Sequence, residues 1–293
     1  MRITSSRMLD QAAAATVANQ SKLADKVSQV SSGLRVQTPS DDPSAWLAAH
    51  RAQLKKQLSE GTGVAMQFSR DRLDESDRAL ASVLDAVTAT RALAVQGGND
   101  SYNAANRRDL ALQVRSLFES AVGAANTRAP DGEYLLAGAA SLSVPFDANG
   151  VYLGDAGTRQ IPTTEASTSL ISVAGSRLTA TNGVDVLPLL KQVADALDAN
   201  DPTLVRSLLT DLQTAIDQVS NARSLGGGAM AVLDEAAKAH SQLEQNLDQD
   251  ISRYVEVDIV NAASELAKAT QALDASRAVT SRVIDLLGRT SSA

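Results

Sequence analysis

The chain has 293 residues, of which 44% are hydrophobic, only 3% aromatic and none cysteine. Its formal net charge of −7 argues against nucleic-acid binding, which needs a basic face to displace counterions. The missing cysteines exclude disulfides, thiolate nucleophiles and cysteine-bound zinc. So few rings, with much Ala, Leu, Val, Ser and Gln, point to long thin helices packed through narrow seams.

The first residues, Met1-Arg2-Ile3-Thr4-Ser5-Ser6-Arg7, have no apolar stretch behind them, and Ala12–Ala15 is too short to serve as one. No run of eighteen apolar residues occurs. The expectation is a chain with neither a cleaved secretory signal nor a membrane span. Over residues 5–35, Leu9, Ala13, Thr16, Gln20, Leu23, Val27, Val30 and Leu34 follow one another at steps of four and three. That is the seam of a coiled-coil helix. Thr38-Pro39-Ser40-Asp41-Asp42-Pro43-Ser44 then breaks the chain, and Asp42 before Pro43 reads as an N-cap followed by the first residue of a second helix. In that helix Met66, Ser69, Leu73, Ser76, Leu80, Val83, Val87, Thr90 and Ala94 again alternate by threes and fours, and Gly97-Gly98-Asn99-Asp100 ends it.

A third helix is expected over 104–127, with Leu110, Val114, Leu117 and Val122 inward, closed by Pro130-Asp131-Gly132. From 138 to 183 Ser, Thr, Gly and Val take over. Val144-Pro145-Phe146, Tyr152-Leu153-Gly154-Asp155 and Ser169-Leu170-Ile171-Ser172-Val173 are strand candidates in a small β-rich insertion. Helices return over 186–200 and 202–224. Gly226-Gly227-Gly228 is expected to form a turn before a final helix over 229–287. The last part of that helix has its own seam: Ile259, Ala262, Leu266, Ala269, Leu273, Ser276, Thr280, Val283 and Leu287. The fold expected is mainly α: a long antiparallel helical rod with its N- and C-terminal helices paired as a coiled coil and the insertion at the far end. The domain division is 1–42 with 255–293, a rod of 43–137 with 184–254, and the insertion 138–183.

Catalytic chemistry finds no footing. The two histidines, His50 and His240, have no zinc-protease motif around them. Gly226–Gly228 lacks the Lys-Ser/Thr of a phosphate loop. Asp147-Ala148-Asn149-Gly150 lacks the acidic ladder and closing Glu of a calcium loop and reads as a hairpin turn. Asp41-Asp42 is better explained as a cap than as an acid–base pair, and Asn99-Asp100-Ser101 as a helix-ending turn. Trp46 is read as an anchor against a neighbouring helix. No catalytic residue, cofactor or metal is expected. A helical signalling rod is the alternative from a different class and would need a span or docking domain and a hairpin with no β insertion; a surface enzyme would need a cluster of polar residues on the insertion, which the sequence lacks.

The terminal seams are thin. Burying a Leu gives roughly 1.5–3 kcal/mol, but many seam positions are Ala, Ser, Thr or Gln, against about 1–2 kcal/mol of backbone entropy per residue. The ends are therefore expected to be marginal in the free monomer and to order when neighbours cover them. The candidate assembly residues are Leu9, Thr16, Leu23, Val27, Val30, Leu34, Ile259, Leu266, Leu273, Thr280, Val283 and Leu287. Periodicity alone leaves a plain intramolecular coiled coil equally open.

Two elements carry a resemblance. Val27-Ser28-Gln29-Val30-Ser31-Ser32-Gly33-Leu34-Arg35-Val36 is similar to the I-S-S-G-x-R-I element of the flagellin superfamily. Ser40-Asp41-Asp42-Pro43 resembles its S/A-D-D-P/A element, and Val257 to Leu287 resembles its C-terminal helix. Ser32, Gly33, Arg35, Ser40, Asp41, Asp42 and Pro43 are the motif residues. Met1-Arg2-Ile3-Thr4-Ser5 and Gly132-Glu133-Tyr134-Leu135-Leu136-Ala137-Gly138 resemble the hook–filament junction branch, with Leu136 where that branch often has Phe; a short or minor flagellin is the alternative. The resemblance implies an extracellular structural subunit of the bacterial flagellum, exported without a cleaved signal. It would form a homo-oligomeric ring between another hook-associated protein and flagellin, and an export chaperone would hold its C-terminal helix in the cytoplasm.

Overall fold

The computed structural model describes residues 5–163 and 167–291, with side chains over 7–163 and 167–285. Six α-helices dominate: α1 (Ser5–Ser32), α2 (Pro43–Gly97), α3 (Ala104–Ala125), α4 (Val186–Asp198), α5 (Pro202–Val255) and α6 (Ile259–Ser291). One antiparallel sheet pairs β1 (Gln160–Pro162) with β2 (Thr168–Leu170), Ile161 opposite Ser169. The chain divides into two compact units, Met1–Ser59 with Leu243–Ala293, and Glu60–Gln242.

In the second unit the three-four alternation of α2 is its packing face. All nine of the seam residues from Met66 to Ala94 are buried. They meet a core built from Leu110, Val114 and Phe118 of α3, Leu187, Leu190 and Leu197 of α4, and Leu212, Val219 and Leu233 of α5. Helix ends are closed locally. The Asn103 side chain accepts from the Asn106 N–H at 2.9 Å and Asp201 from Leu204 at 3.0 Å, meeting donors that the first turn leaves unpaired. At the far end of α2 the buried Arg107 donates to the Gly97 and Asn99 carbonyls at 2.7 and 2.9 Å. Arg206 adds a bond to the Gly98 carbonyl at 2.6 Å. These cations sit where the helix presents orphan carbonyls and the negative end of its dipole.

The sequence expectation fails at Gly226–Gly228. The α5 helix runs through all three glycines and ends instead at Val255. The physical reason is the spacing of Val219, Ala222, Gly226, Ala229, Leu233 and Ala236. Each is buried, and together they hold the three-four pattern across the glycines. Seam packing on both sides outweighs a helix penalty of about 1 kcal/mol per glycine.

Residues 138–183 contain less regular strand than their composition suggests. Around Phe146 and Tyr152 the pairing shrinks to a single bridge, and their rings pack at 5.1 Å. The hairpin turn expected at Asp147 is present: its carboxylate accepts from the Asn149 and Val151 N–H groups, both at 2.8 Å. Gly150 there has φ +77°, and a Cβ would fall 2.7 Å from that of Leu187, so only glycine fits. Side-chain bonds to backbone replace ladder bonds through much of this segment. The Gln218 amide alone donates to the carbonyls of Arg177, Thr179 and Val184 and accepts from the Val184 N–H. Leu135, Leu136, Phe146, Val173 and Leu178 join the helical core.

Thr90 occupies a seam position with no exposure, and its hydroxyl has no hydrogen-bond partner among the described residues. A buried hydroxyl left unpaired carries a desolvation cost of about 1–3 kcal/mol. Thr90→Val is therefore expected to raise stability in urea unfolding by about 1 kcal/mol. A loss of stability would mean that the hydroxyl is satisfied after all.

Candidate functional site: the paired termini

In the first unit α1 packs antiparallel on α6, and the contacts are mostly small or polar. The Thr16 and Thr280 hydroxyls meet at 3.1 Å, Asn19 Nδ2 donates to the Ala272 carbonyl at 3.2 Å, and Ser276 Oγ donates to Thr16 Oγ1 at 3.3 Å. On α6 the covered positions are Ala262 and Leu273, both buried, with Leu266, Ala269, Ser276, Thr280 and Val283 half-buried. On α1 they are Leu9, Ala12, Thr16, Asn19, Leu23, Lys26 and Val30. The sequence reading placed Ala13, Gln20 and Val27 at the alternate positions. These are exposed in the structure, and Ala12 and Asn19 instead supply a carbonyl and an amide to the partner helix. Leu34 is half-buried, whereas Ile259 is 65% exposed. The side chain of Leu287 and the residues Met1–Thr4 lie outside the described residues.

The pair leaves a good deal of apolar surface uncovered. Val17 is 66% exposed, Val260 82%, Val279 56% and Ile284 53%. In α2, by contrast, the nine seam side chains are fully enclosed. At roughly 25 cal/mol per Å² of apolar surface removed from water, a seam with two fully buried residues on α6 gains little against the entropy of ordering two long helices.

The motif residues form a clasp where the two terminal helices begin and end. Gly33 takes φ +73°, the left-handed conformation that closes α1, and its N–H donates to the Gln29 carbonyl at 2.9 Å. The freed backbone then pairs with the break between α5 and α6. Arg35 N–H donates to the Val255 carbonyl at 2.7 Å, Val257 N–H to the Gly33 carbonyl at 2.9 Å, and Leu34 bridges Glu256. The Arg35 guanidinium donates to the Tyr254 carbonyl at 2.7 Å and to Asp42 Oδ2 at 3.1 Å. One side chain thus covers the carbonyl end of α5 and holds the carboxylate that caps α2.

Asp42 Oδ1 accepts from the Ala45 N–H at 3.0 Å and the Ser44 hydroxyl at 2.7 Å, with Pro43 opening the helix as expected. Its neighbour Asp41 turns the other way and accepts from the Gln37 and Thr38 N–H groups at 2.9 and 2.8 Å. The adjacent carboxylates therefore do separate structural jobs. Ser32 Oγ donates to the Ser28 carbonyl and accepts from Gln37 Nε2 and the Leu34 N–H. Ser40 Oγ meets Thr38 Oγ1 at 2.8 Å. Sequence reasoning missed Asp258, which caps α6 by accepting from Val260 and Asn261 at 3.0 and 3.1 Å. Its signal was present as an Asp just before a helical run. Trp46 stacks on His50, one turn further along α2, at 5.1 Å and an interplanar angle of 10°. His240 Nε2 donates to the Thr163 carbonyl at 3.1 Å.

Residues 4–141 match the family described as the bacterial flagellin N-terminal helical region. The match takes in α1, α2 and α3. It is 27% identical over 180 residues to flagellar hook-associated protein 3 of Salmonella typhimurium, covering 61% of this chain and 56% of that protein. It is 31% identical over 130 residues to flagellar hook-associated protein 3 of Escherichia coli, covering 44% and 41%. The chain thus spans about half the length of the curated relatives it matches. Among solved structures, Xanthomonas campestris FlgL superposes with TM-score 0.61 at 19% identity, covering 70% of this chain and 99% of that one. Hook-associated protein-3 of Legionella pneumophila gives 0.62 at 13%, covering 70% and 98%. These structures share the fold. Among the described residues no group of three or more His, Asp or Glu is placed to hold a metal, and no helix is long and apolar enough to cross a membrane.

The Ala45 N–H first, then the Ser44 hydroxyl and Arg35, hold the Asp42 carboxyl down at about 2, from an ordinary value of 3.8. A depressed carboxylate contributes stability that is present above the unfolded value and lost as pH falls through the folded one. The cap of α2 should therefore hold at pH 4 and fail only as pH approaches 2. An NMR titration of the Asp42 carboxyl carbon should give a midpoint near 2, and Arg35→Ala should move it upward only part of the way. A midpoint at the ordinary value in the unaltered chain would contradict this geometry.

Proposed function

We propose that this chain is a structural subunit of the bacterial flagellum, acting outside the cell at the junction between hook and filament, and that it has no enzymatic activity. The observation that carries the reading is the terminal pair. It holds the superfamily's motif residues in a tight clasp, yet presents exposed Val17, Val260, Val279 and Ile284 on helices joined through a thin seam. Such a pair is built to be completed by neighbours. Repeated heterologous contacts of this kind generate rings and tubes. The likeness to two proteins named flagellar hook-associated protein 3 supports the junction over the filament itself.

In this reading copies of the chain form a ring, with a second hook-associated protein on one side and flagellin on the other. The subunit leaves the cell through the flagellar export apparatus, and a cytoplasmic chaperone shields α6 before export. Leu9, Thr16, Leu23, Val27, Val30 and Leu34 with Ile259, Leu266, Leu273, Thr280, Val283 and Leu287 are the proposed assembly residues.

Removing residues 1–32 or 259–293 from the chromosomal copy tests this. The secreted middle is expected to stay soluble and helical by circular dichroism, while cells shed flagellin into the medium and carry hooks without filaments. Normal filaments on either truncated strain would overturn the assignment. Counting copies per flagellum separates the rival reading, since a filament subunit would be as abundant as flagellin and a ring subunit scarce.

A further inference from the structure

Helix α5 keeps three consecutive glycines in its interior, although the structure does not require them. A Cβ on Gly227 or Gly228 would meet nothing within 4 Å, and one on Gly226 would make an ordinary contact with Val173 at 3.4 Å. Alanine would fit at 227 and 228 and hold the helix better, because glycine gives up more backbone freedom on becoming helical.

The surroundings sharpen the point. Arg223 grips Asp77 of α2 with two hydrogen bonds, at 2.8 and 2.9 Å. Two turns beyond the glycines, Asp234 accepts from Arg70 of α2 at 2.5 Å. Between Arg223 and Leu233 the buried seam offers only Gly226 and Ala229, with half-buried Met230 packed against the core beside them. Opening the helix over 224–229 therefore exposes little bulky apolar surface, and the glycines favour it because they regain more backbone freedom on leaving the helix.

We propose that Gly226–Gly228 form a built-in opening point of α5, where the helix gives way locally while the anchored segments on both sides stay attached to α2. Such a point lets a long helix alter its curvature without unzipping its seam. The inference is independent of the flagellar reading and is tested on the purified full chain.

Amide exchange resolved along α5 should show residues 226–231 exchanging faster than both 212–219 and 233–240. Each Gly→Ala change shifts a local helix opening by about fivefold, so G227A/G228A should slow exchange at 226–231 by roughly 25-fold and bring it level with the flanks. Ala231→Gly, at an exposed position of the same segment, should widen the difference instead. Equal protection along the three segments in the unaltered chain would overturn the proposal. So would a G227A/G228A chain that slows the flanks as much as the centre, because exchange would then proceed by unfolding of the whole unit.

Discussion

The terminal unit depends on one junction, where the break after α1 pairs with the break before α6. Three backbone hydrogen bonds join five backbone groups there, and the Arg35 side chain reaches both the end of α5 and the cap of α2. Helix ends leave unpaired donors and acceptors. Bringing several together lets a single cation and a single carboxylate serve two of them. Arg35 supplies positive charge where α5 presents carbonyls, and Asp42 supplies negative charge where α2 presents N–H groups, each in the sense the helix dipole favours. An Arg35→Lys change would keep the charge but lose the fork that spans both acceptors.

The two units carry two kinds of seam. The α2 and α5 seams carry Leu, Val and Met among smaller residues and are enclosed. The α1–α6 seam is joined by hydroxyls, an amide and alanines, and much of its apolar surface faces outward. The same three-four spacing underlies both, so the difference lies in side-chain volume. One seam is a finished core. The other is a surface that small residues hold in register, with Val17, Val260, Val279 and Ile284 left exposed.

Much of this was legible in the sequence. The Asp-Pro start of α2, its nine-residue packing face and the antiparallel pairing of the ends follow from spacing and capping chemistry alone. Three features were not. Gly226–Gly228 looked like a turn because local propensity was weighed without the apolar spacing that continues across it. The segment 138–183 looked richer in strand because β-branched composition does not reveal that Gln218 and Asp147 take over the backbone bonds. The face of α1 was set one residue off at Ala12 and Asn19, because what decides it is a carbonyl and an amide that hydrophobic periodicity does not weigh. Of the clasp, the motif residues stood out in the sequence. Their partners, the Tyr254 and Val255 carbonyls, could not, since backbone acceptors leave no trace in residue type.

The central claim is that the α1–α6 pair is only marginally stable until other subunits cover it. Limited proteolysis of the purified monomer, followed by mass spectrometry, tests it most directly. The account predicts that cuts first appear within α1 and α6, leaving a resistant fragment that retains the α2, α3, α4 and α5 core. If both terminal helices outlast the loops around 130 and 142, the pair is complete by itself and the claim is wrong.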